Sequence, residues 1–247
     1  MDKVLKPFWN RLFKFNSLFG LFLVLTVCIP RFILVMHANA TGNYGSIGLI
    51  MAISAIVPFI FLSKKGRAEI GITKPQKNNR LLLAFAAGLV ASILLYWIGQ
   101  SLYGNSYENW YKYIGKSYKI PADIGLNDKR ILFAVMAFTG MTFSPVGEEL
   151  FFRGIVHASF AKSLGDKKAS LIDGAAFALT HLSHFGLVFI NFSWQFLVVP
   201  SLVWVTAMFL VSLLFFACRK YTGSILGVIL CHAAFNGGMI YCIFYLL

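Results

Sequence analysis

Two adjacent carboxylates, Glu148 and Glu149, and a guanidinium four residues on, Arg153, stand inside the run Phe143 to Gly154, which is otherwise apolar enough to sit in lipid. An ionised side chain near the bilayer centre costs at least a few kcal/mol, so such groups usually face a polar interior and mark function. On a helix, Glu149 reaches Arg153 one turn later. That pair accounts for one carboxylate. Glu148 lies about 100° round the helix from its neighbour and is left without an obvious partner. Two more polar sets follow in later apolar runs: His181, one turn after Phe177, and His232 with Asn236 one turn on. Asp173 and His184 lie near His181 in sequence.

The rest of the chain must hold these groups in a membrane. It has 247 residues, 58% of them hydrophobic and 13% charged, with a mean hydropathy of +0.74. Those totals describe a polytopic, all-α membrane protein. The formal charge of +13 does not imply nucleic acid, because the cations cluster in short loops between apolar runs. That is the pattern of topology signals and anionic-lipid contact. Cys28, Cys218, Cys231 and Cys242 have no CxxC spacing and read as small core hydrophobes. The basic N-terminus does not read as a cleavable signal, since the apolar run after it is too long.

Seven apolar runs are expected to span: residues 15–36, 46–62, 81–103, 131–160 and 171–187, one run between 189 and 218, and 223–247. Pro200 could divide the sixth run and make eight. Residues 1–14 suit an interfacial amphipathic start. Arg31, next to Pro30, marks a kink or snorkels to the far interface. Residues 105–130, with Tyr107, Trp110, Tyr111 and Tyr113, read as an interfacial helix at headgroup level. Ser144-Pro145-Val146-Gly147 can bend the fourth span or loosen its hydrogen bonds. Lys and Arg in the N-terminus and in the loops at 64–80, 161–170 and 219–220 put the N-terminus in the cytoplasm of a cell-membrane protein. The chain reads as one integral membrane domain, with spans and an interfacial segment in 1–130 and the polar motifs in 131–247.

Counted along their spans at 1.5 Å per residue, Glu148, His181 and His232 all sit roughly 15–18 Å from the inner boundary. Three separate segments thus bring polar groups to one depth. A carboxylate in such a site can act as a general base, and a nearby imidazole can share a water with it. A His and an Asn on one helix face offer donors to a developing oxyanion. These are the parts for water attack on an amide. No GxSxG or HExxH motif is present. A zinc ion held by Glu148, His181 and His232 is chemically allowed, since two His and a carboxylate form a known catalytic set.

Glu148-Glu149-x-x-x-Arg153, Phe177-x-x-x-His181 and His232-x-x-x-Asn236, in that order on successive helices, resemble the three motifs of the CPBP family. These are the CAAX-protease and bacteriocin-processing (Abi) intramembrane proteases, related to the type II CAAX prenyl endopeptidase. The ordered trio carries the resemblance, over about residues 131–240. It implies a membrane-embedded peptidase in which Glu148 is the general base, His181 assists, and His232 and Asn236 form the oxyanion hole. Glu149 and Arg153 would support the site. It further implies a metal-free glutamate mechanism with no cofactor, zinc being the alternative. Asp173 and His184 stand outside the motifs and would at most support the site.

Two functions of different class follow. The first is an intramembrane endopeptidase acting on a membrane-associated peptide or protein, such as a pheromone or bacteriocin precursor; nothing in the chain singles out a prenylated CAAX protein. The second is a non-catalytic immunity or regulatory partner of the same family. A proton-coupled transporter is a distant third, because no internal repeat is evident.

Overall fold

The computed structural model describes residues 4–247. A short extended stretch pairs Leu5 with Leu62 and leads into the single turn α1 (Trp9–Leu12). The apolar helices follow: α2 (Ser17–Thr41), α3 (Gly45–Phe61) and, after the basic turn α4 (Lys64–Glu69), α5 (Asn78–Tyr103). A short α6 (Trp110–Gly115) precedes α7 (Leu126–Glu149). α7 runs without a break through a π-helical segment, Leu150–Val156, into α8 (His157–Leu164). Then come α9 (Asp166–Thr180), a hairpin of β1 (Leu187–Ile190) and β2 (Ser193–Phe196), α10 (Val198–Thr222) and α11 (Ile225–Tyr245).

Among the described residues, five helical runs are long and apolar enough to cross a membrane: α2, α5, the Leu126–Leu164 run, α10 and α11. α3 is a shorter apolar helix of 17 residues. Apolar side chains such as Leu82, Leu94, Phe138 and Leu202 stay exposed on outer faces, as lipid-facing surfaces require. This is a multi-pass membrane bundle of all-α class, helical apart from one short hairpin.

α11 is its centre: 67% of its apolar window is buried, against 17–39% for the other four. It lies along α5 and α7 and touches α10. Small residues permit the close approach. A Cβ on Gly88 of α5 would lie 1.9 Å from the Cys231 carbonyl oxygen, and one on Gly147 of α7 would lie 2.5 Å from that of Met51 on α3. The α10–α11 turn is fixed by Gly223 at φ +68° and by Ser224, whose hydroxyl accepts the Leu226 N–H at 3.2 Å. It thereby caps one of the orphan donors at the start of α11.

Several local expectations are corrected. The region 189–218 holds a hairpin and one long helix. Pro200 sits in the first turn of α10, where no helical N–H is needed, and divides nothing. The run expected at 171–187 is α9, only 15 residues or about 22 Å, ending in a 3₁₀ turn at His181–Ser183. Trp110 and Tyr111 are not headgroup anchors but fully buried. Trp110 meets Trp204 and Phe185 at ring-centroid distances of 5.9 and 6.1 Å, and Tyr111 donates to the Ser92 carbonyl at 2.6 Å. Burial is open to both rings because their polar atoms are so few. The backbone widens at 150–156, one turn after the expected bend at 144–147. Of the amphipathic start, residues 1–3 lie outside the described residues, and the remainder is extended chain plus the α1 turn.

The α5–α11 contact holds His232 in place, so Gly88→Ala is expected to destabilise the bundle. Forcing an extra methyl into a packed contact costs about 1–3 kcal/mol, which is read as a lowered thermal unfolding midpoint in detergent. A midpoint equal to the parent's would contradict this packing.

Candidate active site

Glu148 and Glu149 end α7 on different faces, and each carboxylate has its own set of partners. Glu148 is 2% exposed, and Arg31 of α2 is 3% exposed. Arg31 Nη2 donates to Glu148 Oε1 at 2.9 Å, and the Ser144 hydroxyl, one turn earlier, donates to the same oxygen at 2.5 Å. Arg31 therefore neither snorkels nor marks only a kink. It is buried within the bundle and takes the carboxylate opposite as its partner. Two charges left in lipid unpaired would each cost several kcal/mol.

Oε2 of Glu148 has no hydrogen-bond partner among the described residues. It faces His181 Nε2 at 3.8 Å, too far for a direct hydrogen bond. His181 Nδ1 lies 2.7 Å from the Phe177 carbonyl oxygen. A carbonyl can only accept, so Nδ1 carries a proton, and in the neutral ring the lone pair of Nε2 then turns toward Glu148. The spacing Phe177-x-x-x-His181 makes this bond, and it fixes the tautomer.

Glu149 serves the other cluster. Its Oε1 accepts from Arg153 Nη1 at 3.1 Å and from His232 Nδ1 at 2.6 Å. The expected Glu149–Arg153 pair is present, and it also orients an imidazole from α11. Arg153 is packed between rings, its guanidinium carbon 4.2 Å from the Phe177 centroid and 5.2 Å from that of Phe215. Phe215 also stacks on His232 at 4.6 Å. Asn236, one turn after His232, donates to the Gly140 carbonyl at 2.9 Å.

Glu148, His181, His232 and Asn236 all line one cavity of about 550 Å³, as do Arg31 and His184. Glu149 and Arg153 stand behind its wall. Asp173 does not reach it: its Oδ2 binds His157 Nδ1 at 2.6 Å, joining α9 to α8. Sequence reasoning misread Arg31 and passed over Ser144 and His157. The signal for Arg31 was present, since a buried Glu148 without a partner requires a cation from another helix. Ser144 stands one turn before Glu148, within reach on the same face.

A divalent ion at Glu148, His181 and His232 fits poorly. Glu148 Oε1 is engaged by Arg31 and Ser144, and a guanidinium at that carboxylate opposes a second cation. Among the described residues no three His, Cys, Asp or Glu side chains are grouped to hold a metal.

Removing the Arg153 charge strands Glu149. Arg153→Met is expected to cost about 3–5 kcal/mol, the usual result of breaking a buried pair, and Arg153→Lys less. Chemical denaturation in detergent measures both. A methionine variant as stable as the parent would contradict the pairing.

Residues 130–238 match the family described as type II CAAX prenyl endopeptidase Rce1-like. The stretch runs from the start of α7 into α11 and contains every motif residue from Glu148 to Asn236, but not Arg31. No curated protein and no solved structure matches the chain. With its five membrane-crossing runs, the chain is a multi-pass membrane protein whose residues 130–238 are similar to the Rce1-like, CAAX-type intramembrane protease family.

Proposed function

We propose that this protein cleaves a peptide bond of a membrane-associated peptide or protein with a water activated by Glu148, without a metal ion. The observation that supports this most is the 3.8 Å gap between Glu148 Oε2 and His181 Nε2 inside the cavity that His232 and Asn236 also line. Both facing atoms are acceptors. A water between them gives one hydrogen to each and keeps an oxygen lone pair for a carbonyl carbon.

In the forward step the water oxygen bonds to the scissile carbonyl carbon, and one water proton passes to Glu148 Oε2. The carbonyl π electrons move to the oxygen. His232 and Asn236 donate to that oxyanion, the kind of contribution that is often the largest in acyl transfer. His232 can donate from Nε2 when its ring is charged, and the Glu149 carboxylate at Nδ1 balances that charge. Asn236 has a second amide hydrogen beyond the one given to Gly140. The tetrahedral carbon then expels the amine, which takes the proton from Glu148, and the carboxylate is restored. Arg31 and Ser144 hold Oε1, so Oε2 is the oxygen that works.

The substrate class is a peptide tethered to or crossing the membrane. The cavity walls include Met51, Met136, Phe143 and Ile240, which suit apolar side chains beside the cleaved bond.

Glu148→Gln is expected to slow cleavage about 10²–10⁴-fold, the range for a lost general base. His232→Ala or Asn236→Ala is expected to lower kcat about 10²–10³-fold, with chelators leaving the parent's rate unchanged. Turnover of a membrane-tethered peptide library, followed by mass spectrometry, reads all three. Cleavage that survives Glu148→Gln would overturn the mechanism. Biological activity that survives it without cleavage would favour the non-catalytic partner.

A further inference from the structure

Hydrolysis consumes one water per turnover, and a site walled mainly by apolar side chains has to be supplied from somewhere. Beside the main cavity lies a second one of about 60 Å³, lined by Asn39, Tyr44, Tyr113, Lys116, Ser117 and His184, with Phe189 and Ile114. That volume has room for a few waters, and the lining offers each of them several polar partners, as a buried water requires. The two cavities share Tyr44, Ile114, Ser117 and His184 as walls. They are neighbours across a partition made partly of polar groups.

The partition is held firmly. Tyr44 donates to Asn39 Oδ1 at 3.0 Å, and Asn39 Nδ2 donates to the Ser183 carbonyl at 2.8 Å. Tyr113 accepts the Phe189 N–H at 2.8 Å, which anchors β1 to α6. His184 is the exception. Its ring lies 5.3 Å from that of His181, and its buried Nε2 has no hydrogen-bond partner among the described residues. An orphaned buried nitrogen carries a desolvation cost, and native structures usually meet such a group with an ordered water. The α2–α3 turn, α6 and the hairpin all meet at this end of the bundle. Lys116, held over the Tyr107 ring at 3.7 Å, brings a hydrated charge to the outer rim.

We propose that this small polar cavity is the channel through which water reaches the Glu148–His181 gap, with His184 at the junction as the positioning residue that passes it inward. The proposal rests on the peptidase reading for its purpose, but not for its first test. The route bypasses the apolar walls of the main cavity, which remain free for substrate.

The first test is chemical access. Ser117→Cys in proteoliposomes is expected to react with a membrane-impermeant, anionic methanethiosulfonate, whereas the parent, whose four cysteines are buried, does not. Modification is expected to stop cleavage by the otherwise active variant. The second test is turnover. His184→Phe is expected to lower kcat at least about tenfold, the worth of one well-placed hydrogen bond, with KM unchanged. His184→Gln, which keeps a polar group at the junction, is expected to stay near the parent's rate. A Ser117→Cys thiol unreactive from either side, modification without loss of cleavage, or His184→Phe turning over like the parent would each overturn the proposal. Labelling does not depend on activity, so a failed peptidase reading, seen as cleavage by Glu148→Gln, is separable from a failed channel.

Discussion

The pairing of Glu148 with Arg31 is the constraint from which the rest of the architecture follows. A carboxylate in the middle of an apolar bundle needs a counter-charge and further hydrogen bonds if burial is not to cost several kcal/mol. The counter-charge comes from α2, 117 residues away in the chain, so α2 must lie where its third turn from the end meets the last turn of α7. That contact binds the N-terminal part of the chain to the motif-bearing part. The site therefore draws on more than the stretch that matches the protease family.

Adjacent carboxylates would repel each other on one face, and here they are kept apart by geometry. Glu148 looks toward Arg31, Ser144 and His181, and Glu149 toward Arg153 and His232. Each acid has one guanidinium partner and one imidazole that it faces. The π-helical segment begins right after them, at Leu150. Wide turns of this kind are often found at functional sites, and here the segment holds Arg153 in the aromatic cage of Phe177 and Phe215. Phe177 acts twice, since its carbonyl also sets the tautomer of His181.

Much of this was legible in the residues alone. Glu148, His181, His232 and Asn236 line one cavity; the ordered motifs pointed to such a meeting, but the count of depth did not describe His181, which stands in the turn after α9 rather than within a span. The Glu149–Arg153 pair followed from i,i+4 spacing. The partners that come from other helices at long range were hidden. Arg31 has no local partner, and hydropathy alone makes an arginine near a proline look like a kink or an interface residue. The hairpin at 187–196 was equally hidden, since its residues are as apolar as a span. It declares itself only through Asn191 and Phe192, which both adopt positive φ in the turn. Trp110 and Tyr111 misled for a related reason: aromatic rings near a membrane surface suit headgroups, but these fill the gap between α5, α10 and the end of α9.

The most direct measurement of the central claim is a double-mutant cycle on Arg31 and Glu148, with stability read from chemical denaturation in detergent. Arg31→Met and Glu148→Gln should each destabilise by a few kcal/mol, because each strands a buried polar group, while the double variant should cost far less than their sum. Additive losses would mean that the two side chains do not meet, and the account of how an acid is held ready within the membrane would fail.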